Sequence, residues 1–152
     1  LEVGMLRPKR LGHIVLRVLD LERSIKFYSE ILGLTNTFSI ENEMHFMSAS
    51  GDSSHELALV SIGNEAQRLN SNMVGLSHFA WEMNSIEDLE SLYLTLQREH
   101  IEISDIGDHG ISLGIYSADP DGNQIEVFYE LPEEEWPEEE MFSGNFPYKF
   151  KV

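Results

Sequence analysis

Residues 11–18 read LGHIVLRV and residues 76–83 read LSHFAWEM, so a histidine recurs in the third position of two similar apolar stretches. His78 follows His13 by 65 positions. Each stretch is rich in the β-branched, apolar and aromatic residues that favour strands. A segment with helical periodicity follows each of them. The chain is therefore predicted to be a tandem repeat whose two copies both begin with a strand and a helix.

Local signals set the expected bounds of both helices. The first helix is predicted over Leu21–Leu32, with Asp20 as its N-cap and Gly33 just beyond its end. The second is predicted over Ile86–Glu99, behind an N-cap at Ser85. Apolar residues recur at helical spacing along one side of each segment, which predicts that both helices pack against a sheet.

Short strand-like runs separated by turn residues follow each helix. These runs are residues 37–40, 45–48 and 55–62 in the first half, and 101–103, 112–117 and 123–130 in the second. Both halves therefore read βαβββ, which predicts the α+β class. The predicted organisation is one domain over residues 5–152, with module 1 at about 10–62, a linker at 63–73, module 2 at about 74–131 and an acidic C-terminal tail at 132–152.

Composition narrows the possible partners and chemistry. The 152 residues are 41% hydrophobic and 24% charged, as in an ordinary globular protein, and their net charge of −17 repels nucleic acid and anionic membrane surfaces. With no cysteine, a transition metal would need histidine and carboxylate ligands. No apolar run approaches the roughly 18 residues of a membrane span, so a cytoplasmic location is predicted.

The duplicated histidine is the main candidate for chemistry. A single histidine in a strand is more often a core residue whose ring is satisfied by a backbone carbonyl. Duplication weakens that interpretation, because repeated modules bring equivalent positions together. His13, His78 and Glu126, each assigned to a strand, would supply two imidazoles and one carboxylate, the ligand set that suits non-haem Fe(II). On the residues alone, two interpretations of these histidines stay open: a metal site and a structural role in the core.

A longer motif in the second half resembles a known family. It reads Gly107-Asp108-His109, five residues, Ile115-Tyr116, two residues, Asp119-Pro120-Asp121-Gly122, three residues, and Glu126. This pattern is similar to the signature of type I extradiol (catechol-cleaving) dioxygenases within the vicinal oxygen chelate superfamily. The resemblance covers about Leu11 to Glu130. It implies two tandem βαβββ modules that form a cupped, barrel-like mixed sheet around one metal site.

The resemblance also implies a reaction and its cofactor. The family's metal ligands correspond to His13, His78 and Glu126, and its metal is Fe(II), with Mn(II) as a substitute. The expected substrates are a small aromatic diol and O2, and the product is a ring-opened semialdehyde. The chain would be a one-domain form of the family, assembled as a homodimer or a larger homo-oligomer.

Three further residues match the family's catalytic positions. His55 corresponds to the acid–base histidine, and His109 and Tyr116 correspond to a pair that hydrogen-bonds to the substrate oxygens. His55 is expected to open a strand in which Glu56 points to the opposite face.

Two alternatives remain within the same superfamily. A glyoxalase I-like lyase or isomerase would use Ni(II) or Zn(II), with Glu56 as the fourth ligand. A non-enzymatic resistance protein would only bind a small molecule in the same cleft. Retention of the three metal ligands counts against the second alternative.

Overall fold

The computed structural model describes residues 6–68, 70, 72–138 and 141–150. The chain forms two compact units, Leu1–Ala66 and Gln67–Val152. The boundary between them falls within residues 63–73, the segment interpreted as a linker. Residue 5 of the predicted domain, residues 69 and 71 of the linker and residues 139–140 and 151–152 of the tail lie outside the described residues.

The first unit contains one helix and one mixed sheet. Its elements are β1 (Ile14–Val18), α1 (Leu21–Glu30), β2 (Thr35–Ile40), β3 (Met44–Ser48) and β4 (Leu57–Ser61). The strand order is β1-β4-β3-β2, with β1 parallel to β4 and the other pairs antiparallel. The Asp20 carboxylate accepts the Arg23 N–H at 3.0 Å, so α1 begins where the sequence predicts. Helix α1 packs on β3 and β4, and its Tyr28 is completely buried.

The second unit repeats this arrangement. Its elements are β5 (Phe79–Glu82), α2 (Ile86–Arg98), β6 (Ile103–Asp108), β7 (Ser112–Ala118) and β8 (Gln124–Glu130), followed by a 3-10 turn at Glu133–Glu135. The order is β5-β8-β7-β6, and β5 is again parallel to its neighbour. The Ser85 hydroxyl caps α2 by accepting the Asp88 N–H at 3.1 Å. The matching topologies confirm the predicted βαβββ modules and the α+β class.

One predicted strand is misplaced. Residues 101–103 were expected to form it, whereas β6 runs over Ile103–Asp108. His100 adopts a left-handed conformation (φ 56°), and the Ile101 N–H donates to the Leu96 carbonyl, so the end of α2 occupies this segment. Pairing begins only where Ile103 meets Ser117 of β7, and most of β6 is polar. An exposed edge strand needs few apolar residues, which hides it from the hydrophobic pattern.

No helix in the described part of the chain combines the length and hydrophobicity needed to cross a bilayer.

Candidate metal and catalytic site

His78 and Glu126 come together within the second unit. His78 lies immediately before β5, Glu126 lies in β8, and the parallel register pairs Ala80 with Glu126. The Nε2 atom of His78 is 3.2 Å from Oε2 of Glu126. Glu126 is only 9% exposed, and glutamates are rarely buried to this degree unless they are paired. Two of the three predicted metal ligands therefore adjoin each other.

Gly114 in β7 provides the space for the Glu126 carboxylate. A Cβ atom at this position would lie 2.5 Å from Oε1 of Glu126 and 3.3 Å from its Cδ and Cγ. Any side chain at position 114 would therefore push the carboxylate away. Gly114 is not among the predicted site residues, although an isolated glycine inside a strand-like run signals a close approach.

His109 and Tyr116 lie beside the same carboxylate. Tyr116 pairs with Glu126 across β7 and β8. The Nε2 atom of His109 is 3.2 Å from the Tyr116 hydroxyl and 4.0 Å from Oε1 of Glu126. Gly107 leaves room for the pair, because a Cβ there would lie 2.8 Å from Cε2 of Tyr116 and 3.1 Å from Nε2 of His109.

The surroundings of Tyr116 keep its hydroxyl protonated. Burial, a hydrogen bond to Glu126 and the negative charges of Glu126 and Asp105 together raise the pKa of Tyr116 to about 12. The phenol is therefore a hydrogen-bond donor at neutral pH. Its ring also makes an edge contact with the His78 ring, at a centroid distance of 5.5 Å. Four of the six predicted site residues thus form one continuous cluster.

The other two predicted residues form a pair in the first unit. The rings of His13 and His55 lie 4.5 Å apart between centroids, with their planes tilted by 38°. His13 precedes β1 and His55 lies just before β4, and the two strands pair in parallel. Both rings line a cavity of about 330 Å³, together with Arg10 and the turn before β4.

Glu56 is held by its own turn. Its carboxylate accepts the Ala49 N–H at 2.9 Å and a hydrogen bond from the Ser53 hydroxyl. Burial alone would raise the pKa of Glu56, but the hydrogen bonds from Ser53, Ala49 and Ser48 outweigh it and hold the pKa below its usual value.

The strand after this turn begins two residues later than expected. Strand β4 begins at Leu57, so the expectation that His55 opens this strand is wrong. Residues 55 and 56 precede β4, although the Glu56 backbone already bonds to both neighbouring strands: its carbonyl accepts the Ile14 N–H at 2.9 Å, and its N–H donates to the Met47 carbonyl at 3.1 Å.

The two units differ at the position of Glu126. In the second unit Glu126 pairs with Ala80, two residues after His78. In the first unit Val15, two residues after His13, pairs with Ala58, which is buried. The repeat therefore carries a carboxylate at this position only in its second copy.

The complete ligand triad remains a prediction. Across the described residues, no three His, Asp or Glu side chains are grouped closely enough to form a metal-binding cluster. The predicted triad takes His13 from the first unit and His78 and Glu126 from the second.

Comparison with known proteins identifies the family. A model of the Glyoxalase/Bleomycin resistance protein/Dioxygenase superfamily matches residues 10–127. The chain belongs to this superfamily. The predicted resemblance is therefore confirmed at the superfamily level.

Two curated relatives within this superfamily carry dioxygenase names. A catechol-2,3-dioxygenase of Bacillus subtilis (strain 168) is 30% identical over 139 residues, which cover 90% of this chain and 46% of that protein. A manganese-dependent 2,3-dihydroxybiphenyl 1,2-dioxygenase of Geobacillus genomosp. 3 is 27% identical over 132 residues, which cover 85% of this chain and 39% of that protein. The chain thus spans less than half of the length of either relative.

Solved structures show the same fold. The glyoxylase/bleomycin resistance protein/dioxygenase domain from Frankia sp. EAN1pec aligns with a TM-score of 0.68 at 17% identity, covering 84% of this chain and 96% of that one. At this identity the likeness concerns the fold alone.

Proposed function

We propose that the chain is an extradiol dioxygenase unit that opens the ring of a catechol-type diol with O2. The observation that carries this proposal is the cluster around Glu126, in which His78, His109 and Tyr116 all adjoin one carboxylate. Three of these four residues belong to the dioxygenase-like motif, and the fourth is the duplicated histidine. The dioxygenase names of the curated relatives support the same reaction class.

His13, His78 and Glu126 are the proposed ligands of a divalent metal. The donor set fits Fe(II), because two imidazoles and one carboxylate leave positions open. The 3.2 Å approach of His78 to Glu126 and the space left by Gly114 suit a shared cation. Bound Fe(II) would supply electron transfer between the diol and dioxygen. Mn(II) is the proposed substitute, and the name of one relative supports it.

The protein's own side chains would bind the diol and move its protons. Tyr116 keeps its proton at neutral pH, so its hydroxyl donates to an oxygen on which negative charge develops. His109, hydrogen-bonded to Tyr116, orients that hydroxyl. His55 is the proposed acid–base group, since an imidazole exchanges protons near neutral pH.

The glyoxalase-like alternative is less well supported. It requires Glu56 as a fourth metal ligand, but that carboxylate already accepts hydrogen bonds from Ala49 and Ser53. The position equivalent to Glu126 in the first unit is Ala58, which offers no ligand atom. Neither Glu56 nor Ala58 therefore supports a second carboxylate ligand at the metal.

Anaerobic reconstitution with Fe(II), followed by a panel of catechols in air-saturated buffer, tests the proposal. We expect one iron per chain and a coloured ring-opened product that forms as O2 is consumed. Glu126→Gln should lose both iron and product, whereas His100→Gln, which alters an exposed histidine just after α2, should retain them. Stoichiometric iron with no cleavage of any catechol would contradict the proposed reaction.

The predicted homo-oligomer and cytoplasmic location remain predictions, which gel filtration with light scattering and cell fractionation would test.

A further inference from the structure

The C-terminal segment, residues 141–150, packs against the turn that carries His109. The Oδ1 atom of Asp108 accepts the Gly110 N–H at 2.9 Å and the Phe146 N–H at 3.0 Å. Phe146 is only 5% exposed, so its ring is buried beside this anchor. One carboxylate therefore fixes both the His109 turn and a segment nearly forty residues further along the chain.

Gly110 makes a second close approach to the same segment. Its φ of +77° lies in the left-handed region that favours glycine. A Cβ atom there would lie 2.8 Å from Oγ of Ser143 and 3.1 Å from its backbone nitrogen. The C-terminal segment is therefore held against the His109 turn at two separate points.

These anchors hold Phe142 next to His109. The two rings meet edge to face, with their centroids 6.3 Å apart. Phe142 has a φ of +70°, a conformation that is costly for a non-glycine residue and persists only where its surroundings impose it. Its side chain is nevertheless 67% exposed, so burial of the ring does not explain the strained backbone.

We infer that Phe142 is a specificity-determining residue, whose ring borders the position of the diol on the His109 side. The inference rests on the proposed function and identifies which part of the substrate Phe142 meets. An exposed aromatic edge beside a hydrogen-bonding histidine suits a flat ring whose oxygens face His109 and whose carbon edge faces Phe142. Phe142 would favour a compact catechol and restrict a diol with a bulky substituent.

The test compares Phe142→Ala with the parent chain on catechol and on 2,3-dihydroxybiphenyl. Loss of the aromatic contact should lower kcat/KM for catechol by roughly 2- to 12-fold. The second ring of the biphenyl diol can occupy the vacated space, so the ratio of the two kcat/KM values should shift towards the larger diol. Tyr148→Ala is the matched control, because Tyr148 lies on the same segment but contacts Phe146.

A second readout does not depend on catalysis. Diethyl pyrocarbonate should modify His109 faster in Phe142→Ala than in the parent or in Tyr148→Ala, as measured by peptide mass spectrometry. If His109 is modified at the same rate in Phe142→Ala as in the parent, the contact between Phe142 and His109 is refuted and the inference fails. If the parent cleaves both diols and Phe142→Ala leaves their ratio unchanged, the inference fails while the proposed function stands. If the iron-loaded parent cleaves neither these two diols nor any other catechol of the panel, the proposed function fails and the specificity role fails with it.

Discussion

Replacing Gly114 with alanine should weaken metal binding although no proposed ligand changes. The new Cβ would lie 2.5 Å from Oε1 of Glu126, whereas ordinary contacts begin near 3.4 Å. The carboxylate would therefore have to move by about 0.9 Å. Ligand atoms in metal sites lie within about 0.2 Å of their standard distances, so a shift of this size would disturb the proposed coordination by Glu126.

The expected loss of metal affinity is about 10- to 100-fold, the range measured when residues that orient a ligand are altered. Little loss of folding stability is expected, because alanine lowers the entropy of the unfolded chain relative to glycine. The crowding also falls on the end of a flexible side chain, not on backbone.

Competition titration of Fe(II) and Mn(II) against a chelator measures this affinity. Circular dichroism and thermal unfolding establish that the variant is folded. Gly75→Ala is the control, since a Cβ at position 75 meets no atom within 4 Å. A folded Gly114→Ala variant with the metal affinity of Gly75→Ala would refute the assignment of Glu126 as a ligand.

Three further predictions concern the catalytic side chains and the turn before β4. His55→Gln should slow ring cleavage by about 10²- to 10⁴-fold with iron retained, while Glu56→Gln should keep both iron and activity near normal. Tyr116→Phe and His109→Asn should each keep iron but lose turnover, as measured by iron per chain beside the cleavage rate. Because the pKa of Glu56 is lowered in the folded state, its stabilising effect should be present at neutral pH and disappear as the pH falls through that pKa. The difference in Tm between the parent and Glu56→Gln should therefore shrink in acid.

For each of these predictions, a specific experimental result would contradict the expected outcome. Metal loss from Glu56→Gln with an innocuous His55→Gln would favour the glyoxalase-like alternative. Iron loss from Tyr116→Phe or His109→Asn would mean that the residue binds the metal directly. A Tm difference between the parent and Glu56→Gln that is independent of pH would exclude the charge of Glu56 as the source of the stabilisation.

Local signals predicted the helices and the repeat well. Asp20 and Ser85 cap their helices with their own side chains, so a few neighbouring residues determine where each helix begins. The repeated stretches around His13 and His78 likewise contain equivalent strands, β1 and β5. These features depend on residues close together in the chain, which is why a sequence pattern reveals them.

Features that depend on the neighbouring strand were not predictable in the same way. Gly107 and Gly114 pair across β6 and β7, and their importance comes from side chains that meet only after the sheet forms. The position of β6 was missed because an exposed edge strand can be polar. The turn before β4 was missed because the carboxylate of Glu56 bonds to backbone and hydroxyl groups, which periodicity does not register.

The contrast between Ala58 and Glu126 bears on how many coordination positions the proposed metal would keep for its reactants. A fully symmetric repeat would offer two histidines and two carboxylates, and an octahedral ion would then have two positions left. With Ala58 in the first copy, the proposed set has three protein ligands and leaves three positions, enough for both oxygens of a diol and for dioxygen. Divergence between two otherwise matching halves would thus raise the number of free coordination positions from two to three, so that a chelating diol and dioxygen could bind together.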